Sequence, residues 1–362
     1  MKKLKDFQSE LNKCSKCGLC QNVCPIFELS ANECAVSKGK FIMLHGVTKG
    51  DLKLSKNINK YIDMCLKCGK CNEFCSAGID VCQILNTAKY EYMNGCFISK
   101  IVKFLHGRFV FGNIMKLGKF ISKPFRPKRN VVDKPSAKVL YFKGCVNQVC
   151  PKTDKYLHKI FKNTDIEIIE PDFDCCGLPF LSDGNLERFE EAAKYNLKLL
   201  NTDCDYIVAD CASCESTVRD YSKYFNTEPV EIYPWGNLIA LRKIHFKFSK
   251  NIKVTFHKPC HLKNDAFLIQ ILSNCENVEY VEMKDYDSCC GMAGSFALKN
   301  PKLAKKLMAN KSQNICDTNA DYVITTCPAC IAGLNLGLFL NGNRKTKVVS
   351  LLEFLAKADK IS

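Results

Sequence analysis

The sequence predicts a multidomain α+β chain: a small helical module first, then two copies of one α/β unit. Three observations carry this expectation. Two runs of four cysteines with the same spacing lie between Cys14 and Cys75, the stretch that begins at Lys138 repeats itself from Lys253, and within each copy short β-branched runs alternate with longer segments of helical period. At 362 residues the chain has room for two or three domains of ordinary size.

Composition narrows the function classes. Hydrophobic residues make up 47% and charged residues 25%, as in a globular protein, and no apolar run approaches the roughly 20 residues that span a bilayer. Met1 to Glu10 carries Lys2, Lys3 and Lys5 with no apolar stretch behind it, so the expectation is a cytoplasmic protein with neither leader nor membrane span. In a reducing compartment, 25 cysteines that mostly recur at short regular spacing read as metal ligands rather than disulfides. The net charge of +16 would suit an acidic surface, but a finger-type Cys/His pattern and a base-stacking motif are both missing, so nucleic acid is not expected as a partner.

The first module, 1–95, holds Cys14-x2-Cys17-x2-Cys20-x3-Cys24-Pro25 and Cys65-x2-Cys68-x2-Cys71-x3-Cys75. Both match the bacterial two-cluster ferredoxin run, which makes this a helical two-[4Fe–4S] ferredoxin-like module. Three thiolates two residues apart reach different iron corners of one cubane, while the fourth, on the helix that follows, points to the other cluster. The expected ligand sets are therefore Cys14, Cys17, Cys20 and Cys75 for one cluster, and Cys65, Cys68, Cys71 and Cys24 for the other. Ser76 stands where the second run would carry proline, which loosens the turn and removes no ligand. Four thiolates also suit zinc, although two full copies of this spacing favour iron–sulfur.

From 96 to 135 the expectation is a basic amphipathic helical linker. Residues 97–132 contain no acid, and their lysines and arginines alternate with Ile, Phe, Leu and Val up to the breaker run Lys123-Pro124-Phe125-Arg126-Pro127. Its helices either pack on the following domains with a charged face to water, or lie in a lipid interface through Phe104, Phe109, Phe111 and Phe120, giving peripheral contact with the inner face of the membrane.

The duplicated region divides into 136–248 and 249–362. Lys138–Cys145 parallels Lys253–Cys260, Asp172–Gly177 parallels Tyr286–Gly291, and Asp205–Cys214 parallels Asp321–Cys330. Expected strands are Val139–Phe142, Ile166–Ile169 and Tyr206–Val208 in the first copy, and Ile252–Phe256, Val278–Val281 and Tyr322–Thr325 in the second. Leu186–Leu200 and Pro301–Asn314 read as helices. Alternation of this kind argues for a largely parallel sheet used twice, with the cysteines where strands end, at the edge on which α/β folds place their chemistry.

The repeats read Cys145-x29-Cys175-Cys176-Gly177-x33-Cys211-x2-Cys214 and Cys260-x28-Cys289-Cys290-Gly291-x35-Cys327-x2-Cys330. With the two-cluster module ahead of them and a Lys38-Gly39-Lys40-Phe41 segment similar to a Gly-Arg-Ile/Leu element, they resemble the CCG-domain iron–sulfur family. That family includes heterodisulfide reductase and the iron–sulfur subunits of glycolate, lactate and anaerobic glycerol-3-phosphate oxidising enzymes, and the arrangement looks most like the glycolate oxidase subunit. The resemblance implies two [4Fe–4S] cubanes and one further iron–sulfur cluster per CCG domain, bound by the ten cysteines of the two repeats; soft thiolates leave zinc open there. It also implies an electron-transfer subunit that serves a partner FAD-containing dehydrogenase acting on a 2-hydroxy acid and passes electrons toward quinone or another acceptor. The alternative is a heterodisulfide-reductase-like subunit whose CCG clusters carry out thiol–disulfide chemistry. No nucleophile–base constellation or dinucleotide fingerprint appears, so no catalytic side chain is assigned. His257 and His261 flank Cys260 and are read as donors to cluster sulfur or proton carriers. Cys34, Cys82, Cys96, Cys150, Cys204, Cys275 and Cys316 fall outside the motifs and read as apolar packing.

Overall fold

Short helices separated by cysteine loops are what the first 95 residues can form, and in the computed structural model they enclose a core of Leu4, Phe7, Leu11, Phe41, Leu44, Ile58, Ile62, Ile84 and Leu85. The structure describes residues 2–96, 101, 105, 110–125, 132, 134–150 and 152–362. The longest helices of the module are Ser37–Lys49 and Val81–Asn94. Gly39, in the first of these, faces the Glu33 carbonyl and the Cys34 backbone so closely that a Cβ has no room. That contact gives the Lys38–Phe41 segment a physical meaning: it locks the helix onto the turn carrying Cys34.

The two cysteine runs differ where Pro25 and Ser76 differ. Pro25, with its φ preset for a first turn, starts the helix Pro25–Ser30, and Cys24 caps it. After Cys75 the chain makes the turn Ser76-Ala77 instead. The expectation of a helix directly behind the fourth cysteine therefore holds for the first run and not for the second.

Behind the module lie two sheets built on the same four-stranded parallel order, the second with a fifth, antiparallel strand added. Strands β1 (Ala137–Phe142), β2 (Ile166–Ile169), β3 (Tyr206–Ala209) and β4 (Tyr233–Pro234) run in the order β2-β1-β3-β4. Strands β5 (Phe246–Phe256), β6 (Cys275–Tyr280), β7 (Tyr322–Thr325) and β8 (Lys347–Ser350) run β6-β5-β7-β8, and β9 (Lys360–Ile361) pairs antiparallel with the start of β5. All six expected strands are present, and the helices Leu186–Leu200 and Pro301–Asp317 fall where helical period placed them. Strand β5 begins at Phe246, because Phe246 and Phe248 alternate inward with Lys247 between them. The two sheets share one core, in which Tyr141 and Trp235 of the first copy meet Phe246, Phe248 and Phe354.

The part of 96–135 that the structure describes forms the helix Val110–Ser122 and a 3-10 turn over Lys123–Phe125. Its inner side docks on the first repeat: Lys119 pairs with Asp172, and Gly118 lies against Val149 with no space for a Cβ. Its outer side leaves Ile114, Leu117, Phe120 and Ile121 exposed. Phe104 and Phe109 lie outside the described residues.

Candidate metal centres

Every cysteine of the two CCG repeats sits in a loop at the carboxyl end of a strand or in the helix turn that follows it. Cys145 follows β1, Cys175 and Cys176 follow β2, and Cys211 follows β3 and caps the helix Ala212–Arg219. Cys260, Cys289, Cys290 and Cys327 take the corresponding places behind β5, β6 and β7. Gly177 and Gly291 close the Cys-Cys turns at φ +91° and +85°, a left-handed conformation that side chains rarely adopt, and their amides face Cys175 Sγ (3.5 Å) and Cys289 Sγ (3.4 Å).

The two repeats then meet face to face. All ten cysteines, Cys145, Cys175, Cys176, Cys211, Cys214, Cys260, Cys289, Cys290, Cys327 and Cys330, line one cavity of about 160 Å³ between the sheets. The Ala212 amide donates to Thr326 O at 2.8 Å across the junction, and Ser213 Oγ lies 3.6 Å from Cys327 Sγ and 3.0 Å from His261 Nδ1. Repeats that read as two separate sites along the chain thus share a single enclosure.

Electrostatics explains why such a group calls for metal. A cluster of buried thiols cannot ionise together, since burial and mutual repulsion both oppose charge. Cys145 is held well above the ordinary thiol range by its hydrogen bond to Cys175 and by burial, and Cys260 by Cys289 and by burial in the same way. Cys176, Cys290 and Cys327 are the thiols that drop, Cys290 to about 5, chiefly through hydrogen bonds shared with neighbouring thiols: Cys175 and Cys214 for Cys176, Cys289 and Cys330 for Cys290, Cys211 and Cys330 for Cys327. A bound cation relieves the conflict by letting all ligands deprotonate. The donor set, soft sulfur throughout with glycine amides aimed at it, fits iron–sulfur or zinc.

In the helical module, burial and then the neighbouring thiols, Cys65 among them, raise Cys68, Cys71 and Cys24. Burial comes first for Cys68, pushed up to about 12, and for Cys24. The Lys67 amide faces Cys65 Sγ at 3.3 Å. Cys14 and Cys17 neighbour Cys20 in the same way, and Cys75 packs with Cys14 against the module's core. One residue that spacing did not single out is Cys82, in the first turn of the helix Val81–Asn94: burial and then the charges of Cys65, Cys71 and Cys68 push its thiol far up. It follows Cys75 at a spacing that matches no ligand pattern, so sequence offered no signal for it.

The module is seated so that its second cysteine loop touches the second repeat. Cys68 and Cys260 line one cavity of about 270 Å³, which shares Leu178, Cys260 and His261 with the enclosure of the ten cysteines. His261 Nε2 meets the Lys67 carbonyl at 3.2 Å, while Lys70–Asp287 (2.9 Å) and Lys223–Asp80 (3.0 Å) tie the module to both repeats. His257 is fully buried, its pKa lowered to about 3 by burial and then by Lys311, so its ring is neutral. Among the remaining cysteines, Cys204, Cys275 and Cys316 pack against cores as expected, whereas Cys34 is exposed and does not.

Comparison with known proteins follows the same division. The 4Fe-4S dicluster domain family matches residues 10–79, and the cysteine-rich domain family, CCG, matches 139–219 and 254–335. The chain is 26% identical to a fumarate reductase (CoM/CoB) subunit of Methanothermobacter marburgensis, over 98% of this chain and 74% of that one. It is 22% identical to the probable glycolate oxidase iron-sulfur subunit of Bacillus subtilis, over 97% and 94%. It is 24% identical to a subunit of the dihydromethanophenazine:CoB–CoM heterodisulfide reductase of Methanosarcina acetivorans, over 89% and 87%. In fold it is similar to a hypothetical protein from Helicobacter pylori of known crystal structure, at a TM-score of 0.53 and 12% identity, covering 89% of this chain and 67% of that one. The chain thus carries a 4Fe-4S dicluster domain followed by two cysteine-rich CCG domains.

Proposed function

We propose that the chain is the electron-transfer subunit of an oxidoreductase whose FAD-containing partner oxidises a 2-hydroxy acid such as glycolate or lactate, with electrons continuing toward quinone or another acceptor. The observation that carries this reading is the contiguity of the thiol groups: the Cys65 loop reaches the second repeat where Cys68 and Cys260 share a cavity wall, and the second repeat opens onto the first. In this reading Cys14, Cys17, Cys20 and Cys75 hold one cubane, Cys65, Cys68, Cys71 and Cys24 hold the next, and each five-cysteine repeat holds a further iron–sulfur centre. Bound there, such centres supply steps of one electron at a time. The chain's own part is to supply thiolates and amides, and to exclude water from the sulfur. The likeness to a glycolate oxidase iron-sulfur subunit supports the partner and substrate class.

The test is anaerobic reconstitution of the full chain followed by iron and sulfide analysis, then addition of 2-hydroxy acid to the chain with its co-purifying flavoprotein. Four centres, about 16 irons per chain, and bleaching by glycolate or lactate are expected. A colourless, iron-free chain would sink the proposal.

A second reading is favoured by the shared enclosure. In this reading, clusters held by the ten cysteines around one space of about 160 Å³ act on a small disulfide, which takes up two electrons and two protons to give two thiols. The likeness to the heterodisulfide reductase of Methanosarcina acetivorans supports it. Turnover of a disulfide by the isolated reconstituted chain with a reduced dye as donor selects this reading, and inactivity there returns the case to the first.

The exposed face Ile114, Leu117, Phe120 and Ile121, with Lys116 and Lys123 beside it, supports peripheral contact with an anionic membrane surface. No helix among the described residues is long and apolar enough to cross a membrane. Sedimentation with anionic liposomes at low salt is expected to carry the chain down, and Ile114→Ser/Phe120→Ser to leave it in solution; no binding by the wild type removes the idea.

A further inference from the structure

The two repeats differ at one buried position beside the thiols. Three residues ahead of the first cysteine, copy one has Phe142 and copy two has His257. Phe142 is fully buried and packs on Phe173, ring centroids 4.6 Å apart, as an ordinary core residue does. His257 is as deeply buried, yet among the described residues neither ring nitrogen has a hydrogen-bond partner. The Tyr286 carbonyl accepts from the Lys258 amide at 3.0 Å and also faces the His257 ring without reaching full hydrogen-bond geometry, and the His257 amide is fixed to Ile324 O at 2.9 Å. A buried imidazole without partners keeps the cost of leaving water uncompensated, which a ligand on either nitrogen would offset.

What lies beside it is sulfur. A ring nitrogen of His257, Cys290 Sγ and Cys330 Sγ all fall within 4.8 Å of one another, and the two sulfurs are 3.3 Å apart. Ligands around one tetrahedral ion, at ordinary metal–nitrogen and metal–sulfur bond lengths, are separated by about 3.5–3.8 Å. The triangle is therefore already near the size of a coordination face. Its position in the strand accounts for this: His257 directly follows β5, where the chain turns toward the cysteine loops, and the Ile324 carbonyl on β7 holds its backbone in place.

We propose that His257 is a direct nitrogen ligand of the metal centre held by Cys290 and Cys330, which makes the second CCG site a mixed nitrogen–sulfur site and leaves the first all-thiolate. Two repeats alike in their cysteines then hold electronically different centres. Imidazole in place of thiolate removes negative charge from the metal, and in iron–sulfur proteins that exchange raises the reduction potential. The second repeat, whose Cys260 neighbours Cys68, would be the better electron acceptor of the pair.

The inference rests on the reading that the second repeat holds metal, and one set of samples separates the two. Full-length chain, uniformly labelled with 15N-histidine and reconstituted anaerobically with iron and sulfide, is reduced and examined by pulsed EPR; a parallel sample is loaded with Co²⁺ and its ligand-field bands are recorded. Metal content of wild type against Cys290→Ala/Cys330→Ala tells whether the second repeat is filled. The expected result is a strongly coupled histidine nitrogen, or a cobalt band position typical of mixed ligation, lost in His257→Phe, which restores the residue that copy one carries. His257→Phe should also lower the midpoint potential of one centre and leave the others where they were. The wild-type spectrum decides even if the variant does not fold. A filled second repeat with no strong nitrogen coupling in the iron sample and no band shift in the cobalt sample overturns this inference alone. A second repeat that takes up no metal overturns both.

Discussion

Cys68→Ala is expected to cost the chain one cluster, about four irons, and to cut the CCG centres off from reduction through the helical module. The reason is its place. Burial holds the Cys68 thiol up to about 12, so only a bound metal keeps it as the thiolate, and it stands where the module touches Cys260. Cys82, buried beside Cys65 and Cys71, is placed to step in as a substitute ligand, so the double variant Cys68→Ala/Cys82→Ala closes that route. Cys34→Ala, at an exposed thiol, is the matched control and should keep the wild-type iron content. Iron analysis with stopped-flow reduction checks all three. Unchanged iron in the double variant would remove Cys68 from the ligand set.

Which of these features could be read beforehand follows from the range over which each is determined. Strands such as Ile166–Ile169 and Tyr322–Thr325 were legible because β-branched residues run together, and the helix Leu186–Leu200 because its apolar residues keep one period. Strands β4, β8 and β9 were not, since two to four residues with one or two apolar positions carry no period to detect. The cysteine motifs are local, so their loops could be placed at strand ends from spacing alone. The enclosure they share could not: it needs the two repeats to pack on one core, whose members Tyr141, Phe246 and Phe354 stand up to more than two hundred positions apart. Cys82 and the pairing of Cys68 with Cys260 belong to the same class. His257 was noticed as a neighbour of Cys260 in sequence, whereas its facing of Cys290 and Cys330 is a property of the fold.

Lys143→Met is the substitution expected to cost most in stability, about 3–5 kcal/mol, because it takes the cation away from a buried carboxylate. Lys143 and Asp154 form an ion pair whose side chains are only 4% and 7% exposed. The corresponding lysine of the second repeat, Lys258, pairs with Asp265 at 3.0 Å with each side about a fifth exposed, so water shares the load and Lys258→Met should cost about 1 kcal/mol or less. Thermal unfolding of the metal-loaded chain is expected to show a fall on the order of 10 °C for Lys143→Met. Replacing both partners, as in Lys143→Met/Asp154→Leu, should restore most of it, since the buried carboxylate is then removed together with its cation. The deficit also has a sign with pH. Burial raises Asp210 to about 6, against which the Tyr141 hydroxyl and the Lys143 charge work, so the folded state holds a proton there that the unfolded chain releases near 4. Stability from this group is full below pH 4 and is lost as pH rises through 6. Without Lys143 the Asp210 pKa moves further up and the loss continues to higher pH, so the variant's deficit should be smaller at pH 5 than at pH 8. Equal deficits at the two pH values would show that Lys143 does not act on Asp210, and full stability in the single variant would show that the pair carries no buried charge.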